Sequence, residues 1–547
     1  ARVTAPTRGR LAAPRALPGR PVAARALHQV HAQTGGLQIF DSRTERALGA
    51  GGRGVRRATA SLSDWVHAAA RGRGMGAPSR SLLLLVAAPL VVYGANGARA
   101  AAGLRRAAHK AATAGGAAKK PSATPTPTQR VLDAMRLSLQ RWTPVTTKAG
   151  AQDYVRNVLA GPAKRGALGR ILILNGRVFA NDEGGKVKQH LAMVSRAVRE
   201  RHSKVKNVAY LHNSEASGSC IQDKQGNLLP TTLIAKKYSA TECGVLVPNP
   251  YFGDLDHWSN VAQLLEAASR KHPYWKRDPR AFWRGHIRWR NKDCDHESGN
   301  IARFLGTLLT LRHPDHFDVK VRHLEEKKAL WTNSTALRHT KCPDVKPKYP
   351  FRGVGDLDGL IGRLSEAQDV SWVDPVDYAR YKILAHFPGG TTGSYSRNLN
   401  HLWATGSTVM IWDHPAQEHY YAGLEEGRTH VVFNATNAVN VATKITGNQR
   451  LARRLRDGAA AVQKELVCAD CLHGFLLETL KAFRAHFSCG DALDDAETAR
   501  ATLKGVQCGD FVEYVSHGVV EKIPPSNVKA GPGEDQSCVD LVSAAFV

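Results

Sequence analysis

Several things are scarce in this chain of 547 residues, and each scarcity narrows what the protein can be. No apolar stretch reaches the ~20 residues that a bilayer-spanning helix wants. The strongest run, Leu82-Leu-Leu-Leu-Val-Ala-Ala-Pro-Leu-Val-Val-Tyr93, stops short of it. No internal repeat is visible, which excludes solenoids and propellers. Cys468-Ala-Asp-Cys471 has neither a second C-x-x-C nor a His pair, so it makes a poor zinc site. Acidic residues are nearly missing from the start: residues 1–150 hold 24 Lys and Arg against 4 Asp and Glu. That segment alone carries +20 of the +29 net charge and leaves +9 for the rest. A basic, nucleic-acid-binding reading of the whole protein would therefore be a reading of one arm. Rich in Ala, Arg, Gly and Pro, poor in aromatics and without amphipathic period, most of that arm is expected to be disordered.

Cysteine is also absent from the basic arm. All nine cysteines lie after the hydrophobic run, the first being Cys220. Disulfides formed in a lumen, with one thiol left over, would give that asymmetry. The sequons Asn333-Ser-Thr335 and Asn434-Ala-Thr436 agree with such a compartment. Residues 81–97 then read as a signal h-region or a single-pass signal anchor, with Ala98-Arg-Ala100 resembling a cleavage site. An organellar transit peptide is the rival. The expected location is the lumen of the endoplasmic reticulum or Golgi.

What is present suggests an α/β protein. A basic targeting segment spans residues 1–80, and a Pro/Thr/Ala linker or stem covers 98–130. Helical periodicity starts near Val131. Strand-like runs at Arg170–Leu174 and Val208–Leu211 flank a helical pattern at Gln189–Arg199, the alternation that a parallel α/β layer needs. A second round follows: helix 258–270, strand 280–283, helix 300–311, strand 317–321. Beyond a long loop come the strand 381–387, helix 397–404, the strands 407–412 and 429–433, and helices 449–465 and 472–486. Two halves are expected, 131–260 and 261–486. Residues 487–547 hold three cysteines and little periodicity.

Three constellations carry chemistry. Ala281-Phe-Trp-Arg-Gly285 is a buried strand running into basic residues, Arg284 and Arg288, where open α/β sheets bind ligands. Gly285 would admit a phosphate or sugar to the backbone. From Tyr381 the chain passes through a glycine-rich turn with Gly393, Ser394, Tyr395, Ser396 and Arg397 into a helix from Asn398 and a turn at Gly406-Ser407. Backbone N–H groups and a guanidinium at a helix start suit a phosphate. Glu418, in Glu418-His-Tyr-Tyr421, could accept hydrogen bonds from sugar or ribose hydroxyls. The plain readings are a capped strand end, a chain reversal and an exposed helix start.

With Asn249-Pro-Tyr-Phe-Gly253, Trp258, Lys276 and the three constellations in this order, residues 200–485 resemble the family-90 glycosyltransferases. These include capsule-associated xylosyltransferase-like proteins and protein O-glucosyltransferases. The resemblance implies a GT-B-like pair of Rossmann-like domains with a cleft between them. It implies inverting transfer of glucose or xylose from a UDP-sugar to a hydroxyl on a protein or glycan, with no metal, no other cofactor and no nucleic acid. The donor would be held by Arg284, Gly285, Arg288, Gly393, Ser394, Tyr395, Ser396, Arg397, Asn398, Gly406, Ser407 and Glu418. Tyr251 and Phe252 would lie on the acceptor side. Two departures stand out. The arginine of the family's Ser-x-Arg falls at Asn398, with Arg397 one place early. The region expected to carry a catalytic Asp, Val208–Glu215, has none, and Glu215 is the nearest carboxylate. An inactive, donor-binding relative and a basic nucleic-acid-associated protein are the alternatives. Asp254-Leu-Asp256 and Asp356-Leu-Asp358 mimic the metal-binding D-x-D of other glycosyltransferases.

Overall fold

Thr126 and Pro127 start the first helix. The Thr126 hydroxyl accepts from the Gln129 N–H, and Pro127 occupies the opening turn, where no donor is needed. Helix α1, Pro127–Leu139, thus begins inside the expected stem. The computed structural model describes residues 124–547 apart from 183, 201–204, 216–219, 237–242, 254, 287–298, 322–372, 390–397, 517–518 and 547. The expected targeting segment, the hydrophobic run and most of the expected stem lie outside the described residues. So do Arg288, Gly393 to Arg397, Cys294, Cys342, Asn333 and the Asp356–Asp358 pair.

Two sheets organise the rest. The first has the order β12-β11-β2-β1-β3-β4-β5. Its strands are β1 Leu168–Leu174, β2 Arg177–Ala180, β3 Val208–Asn213, β4 Thr231–Leu233, β5 Val245–Leu246, β11 Val512–Ser516 and β12 Val519–Lys522. It is mixed, where alternation had suggested a parallel layer. The reason is local: Asn175 (φ 47°) and Gly176 (φ 80°) make a two-residue turn, which can join only antiparallel strands. β3 is antiparallel to β1 as well. β2 and β3 therefore run the same way, and helix Gly185–Glu200 crosses between them. Only β3, β4 and β5 form a parallel run.

The second sheet is parallel at every described pairing, in the order β10-β9-β8-β6-β7. Its strands are β6 Asp278–Gly285, β7 Phe317–Val321, β8 Tyr381–His386, β9 Thr408–Trp412 and β10 Val431–Phe433. Helices α2 Lys148–Leu159, α3 Gly185–Glu200, α4 Leu255–Lys271, α5 Gly299–Arg312, α6 Asn398–Leu402, α7 Ala438–Gly447, α8 Gln449–Glu465 and α9 Ala469–His486 accompany the two sheets. One face of the second sheet packs Trp283, Val319, Ile383, Phe387, Met410, Trp412 and Phe433 against Phe304 and Leu308 of α5 and Leu455 of α8. Phe282, Leu384 and Val409, on the other face, are buried as well, and strands buried on both faces read as continuous apolar runs, which is why they were legible in the sequence.

The last 61 residues belong to the first sheet. β11 pairs with β2, and Arg177 holds Glu513 across that pair. α10 Cys489–Leu493, α11 Ala496–Leu503 and α12 Gln536–Phe546 flank it, with Cys508 bonded to Cys538. Cys220–Cys243 and Cys468–Cys471 are also disulfides, and Cys489 is a buried thiol pushed up to about 12 by desolvation. Residues Pro125–Val547 form one compact unit. Among the described residues no helix is long and apolar enough to cross a membrane.

Candidate functional site

In the second sheet the first strand in sequence, β6, lies between β7 and β8, and the chain then steps outward through β9 and β10. Such an order reverses direction between β6 and β8, and open α/β sheets bind ligands beyond the carboxyl ends of the two strands at that point. The chain leaves β6 at Gly285-His286 and β8 at Phe387-Pro388-Gly389. One side chain joins the two exits. Arg303, on α5 and only 9% exposed, donates Nε–H to the Pro388 carbonyl at 2.9 Å and an Nη1–H to the His286 carbonyl at 2.6 Å. Its guanidinium lies 5.6 Å from the Trp283 ring centroid. Gly299 opens α5 against the Gly389 carbonyl, where a Cβ would overlap backbone atoms. Asn398, at the start of α6, donates to the Arg284 carbonyl at 3.1 Å. The starts of α5 and α6 thus converge on the exits of β6 and β8. The start of α5, as a helix N-terminus, gives the edge a positive character suited to an anion.

The same edge holds His386 as a neutral ring. Burial lowers its pKa to about 3, and the positive potentials of Arg303, His414 and His430 act in the same direction. Its Nδ1 is buried without a hydrogen-bond partner.

Several expected donor ligands sit elsewhere. Arg284 is 6% exposed and folds back over the Phe282 ring, 4.4 Å from its centroid. Its Nη2 forks to both oxygens of Asp318 at 2.9 and 3.0 Å, and its Nη1 donates to the Asp318 and Trp283 carbonyls. Its charge is committed to the sheet rather than to the edge, where Arg303 is the buried cation joining the two strand exits. The space that Gly285 leaves is taken by the Trp283 ring, not kept open for a ligand. Gly406 and Ser407 precede β9 and so lie at the amino edge of a parallel sheet, ~16 Å of strand away from the carboxyl edge. There Ser407 accepts from Arg277 Nη1 and donates to the Tyr381 carbonyl, both at 2.7 Å. Gly406, at φ 65°, packs on Ser269. These two residues hold a buried turn.

Glu418 is not the exposed helix start of the plain reading. It is 1% exposed, and Oε2 accepts from Asn249 Nδ2 at 2.6 Å. Asn249 exchanges amide hydrogen bonds with Asn400 of α6, at 3.2 and 3.3 Å, and accepts from the Tyr251 N–H. The second oxygen, Oε1, is buried without a partner. Burial raises the Glu418 pKa from 4.5 to about 8, against the opposing effect of the Asn249 hydrogen bond. The carboxyl is therefore mostly protonated at neutral pH. Glu418 also borders a cavity of about 250 Å³ beneath α1, together with Lys236, Arg141 and Phe475.

Phe252 is fully buried against Trp258, whereas Tyr251 is half-buried with Lys186 Nζ 5.9 Å from its ring. Lys186 also donates to the Ser214 carbonyl at 3.4 Å, tying Tyr251 to the carboxyl end of β3. Glu215 follows directly. Its carboxylate meets Lys164 at 2.6 Å, and its N–H donates to Asn213 Oδ1. Arg303, Asn249 and Asn400 were missed as site residues. Arg303 carried a signal, a cation in the second turn of the helix that follows β6. Asn249 was visible in its motif but not as a partner for Glu418.

Among the described residues no three His, Cys, Asp or Glu side chains are grouped to hold a metal ion. Comparison with known proteins gave no matching family model and no matching curated protein.

Proposed function

We propose that the chain is a GT-B-like inverting glycosyltransferase that moves glucose or xylose from a UDP-sugar to a hydroxyl on a protein or glycan in the secretory lumen. One observation carries the reading: the starts of α5 and α6 and the Arg303 guanidinium meet at the β6/β8 switch point. A pyrophosphate placed there would face a helix N-terminus and a buried cation, both fixed before the reaction. The segments leaving β6 and β8 in sequence carry Arg288 and Gly393–Arg397, which would complete the grip. In the reaction a carboxylate takes the acceptor proton and the freed oxygen bonds to the sugar C1. The C1–O bond to UDP breaks with its electron pair on the diphosphate. Glu215, at the carboxyl end of β3, is the assigned base. The three disulfides support the lumenal location.

UDP release from UDP-glucose and UDP-xylose, with and without candidate acceptors, tests the activity. Arg303→Ala should lower turnover ~10²-fold or more, with Arg303→Lys falling between. Wild-type turnover in a folded Arg303→Ala protein would refute the site. Glu215→Gln should abolish transfer while leaving donor binding intact. A second reading, an inactive donor-binding relative, is favoured by the solvent-facing Glu215–Lys164 pair, which occupies the base. Donor binding without transfer would select it.

A further inference from the structure

Helix α8 opens Gln449-Arg-Leu-Ala-Arg-Arg-Leu-Arg456, and Arg450, Arg453 and Arg454 are all exposed. Spacings of three and four residues bring them onto neighbouring positions of one face. Gly458 lies one turn further on. A side chain there would overlap the Arg428 backbone carbonyl, so the glycine lets the segment before β10 lie directly against the helix. The result is a solvent-open concavity of about 350 Å³ lined by Arg428, Arg450, Arg453, Arg454 and a single acid, Asp457. Arg428 reaches Glu425 at 3.4 Å. Among the described residues Arg450, Arg453 and Arg454 pair with no carboxylate.

The fold does not require this arrangement. The buried face of α8 is Ala452, Leu455, Gly458, Ala459 and Val462, and it packs without the arginines. A cation in the first turn opposes the helix dipole. Like charges three and four residues apart destabilise the helix. Clustering four guanidinium groups works against folding unless something anionic is bound among them. The concavity is also remote from the β6/β8 crevice. Arg428 precedes β10, and Arg456 of the same helix donates to the Gly406 carbonyl, so both lie at the amino edge of the second sheet.

We propose that this concavity is a second binding site, for a compact small molecule carrying several oxyanion groups, either phosphate or sulfate esters, gripped by forked guanidinium pairs. Guanidinium offers paired N–H donors that match two oxygens of one such group, a geometry lysine cannot copy.

The test is calorimetric titration of the full chain in about 0.15 M salt, where surface attraction is largely screened. The probes are inositol hexakisphosphate, inorganic tripolyphosphate and a trisulfated heparin disaccharide. At least one should bind, and the R450Q/R453Q/R454Q protein should bind it ~100-fold more weakly or not at all. The matching triple lysine variant keeps the charge and should fall between the two. Preference for the phosphorylated or the sulfated probe identifies the source of the ligand. Binding of no probe overturns the proposal. So does equal binding by the triple glutamine variant, which would move the interaction to the arginine-rich residues 1–150. A triple lysine protein that matches wild type overturns the forked grip.

Discussion

Glu418 gives the sharpest prediction, because its buried carboxyl should leave a signature in stability against pH. Its pKa rises from 4.5 in the unfolded chain to about 8 in the fold, driven by burial. The folded protein therefore holds a proton that the unfolded chain releases. The stabilising effect is fully present below pH 4.5, falls as pH rises from 4.5 to 8, and is lost above 8. At ~1.4 kcal/mol per pH unit, the loss across that window is at most ~5 kcal/mol. Buried histidines act in the opposite sense and over a lower range. His190, His386 and His419 are lowered to about 3 by burial, so they stabilise above pH 6.5 and progressively less as pH falls toward 3. The isosteric Glu418→Gln variant separates the two effects, since the histidine contributions are common to both proteins and cancel. Urea unfolding of wild type and variant, with disulfides intact, should be compared at intervals between pH 5 and 8.5. The variant should gain on wild type by ~2–4 kcal/mol across the series. A stability difference that stays constant within ~0.5 kcal/mol would refute the buried, proton-holding carboxyl.

Asp318→Ala strips the partner from buried Arg284 and should destabilise the protein by ~3–5 kcal/mol in chemical unfolding; the donor Kd of the protein that remains folded should stay near wild type. Gly406→Ala meets both a φ of 65° and the Ser269 hydroxyl, so it should lower stability by ~1–3 kcal/mol without changing the donor Kd. Removing Cys508–Cys538 by a double Ala substitution opens a loop with a separation of 30 residues and should lose ~3–4 kcal/mol, read as a lower urea midpoint. Its effect should exceed that of removing Cys468–Cys471, whose separation is three.

The second sheet was legible because most residues of β7, β8 and β9 are buried. Runs such as Tyr381–His386 and Thr408–Trp412 announce themselves by composition alone. The amino-edge position of Gly406-Ser407 was legible too, once β9 is parallel to β8, because residues before a strand cannot lie at its carboxyl edge. The mixed first sheet was harder. Its signal, Asn175-Gly176, occupies two residues, and the edge strands β11 and β12 come from the far end of the chain.

The α/β class, the elements of the parallel sheet, the placement of cysteines after a basic arm and the candidate chemistry of a few loops could be read from the chain alone. Local composition and periodicity suffice for those. Which charges are available emerged with the folded neighbourhood. Arg284 and Asp318 lie 34 positions apart, and Glu418 and Asn249 lie 169 apart. A guanidinium facing solvent and one locked to a buried carboxylate look identical in a sequence. Desolvation and pairing, which set charge and pKa, depend on neighbours that the chain supplies only after it has folded.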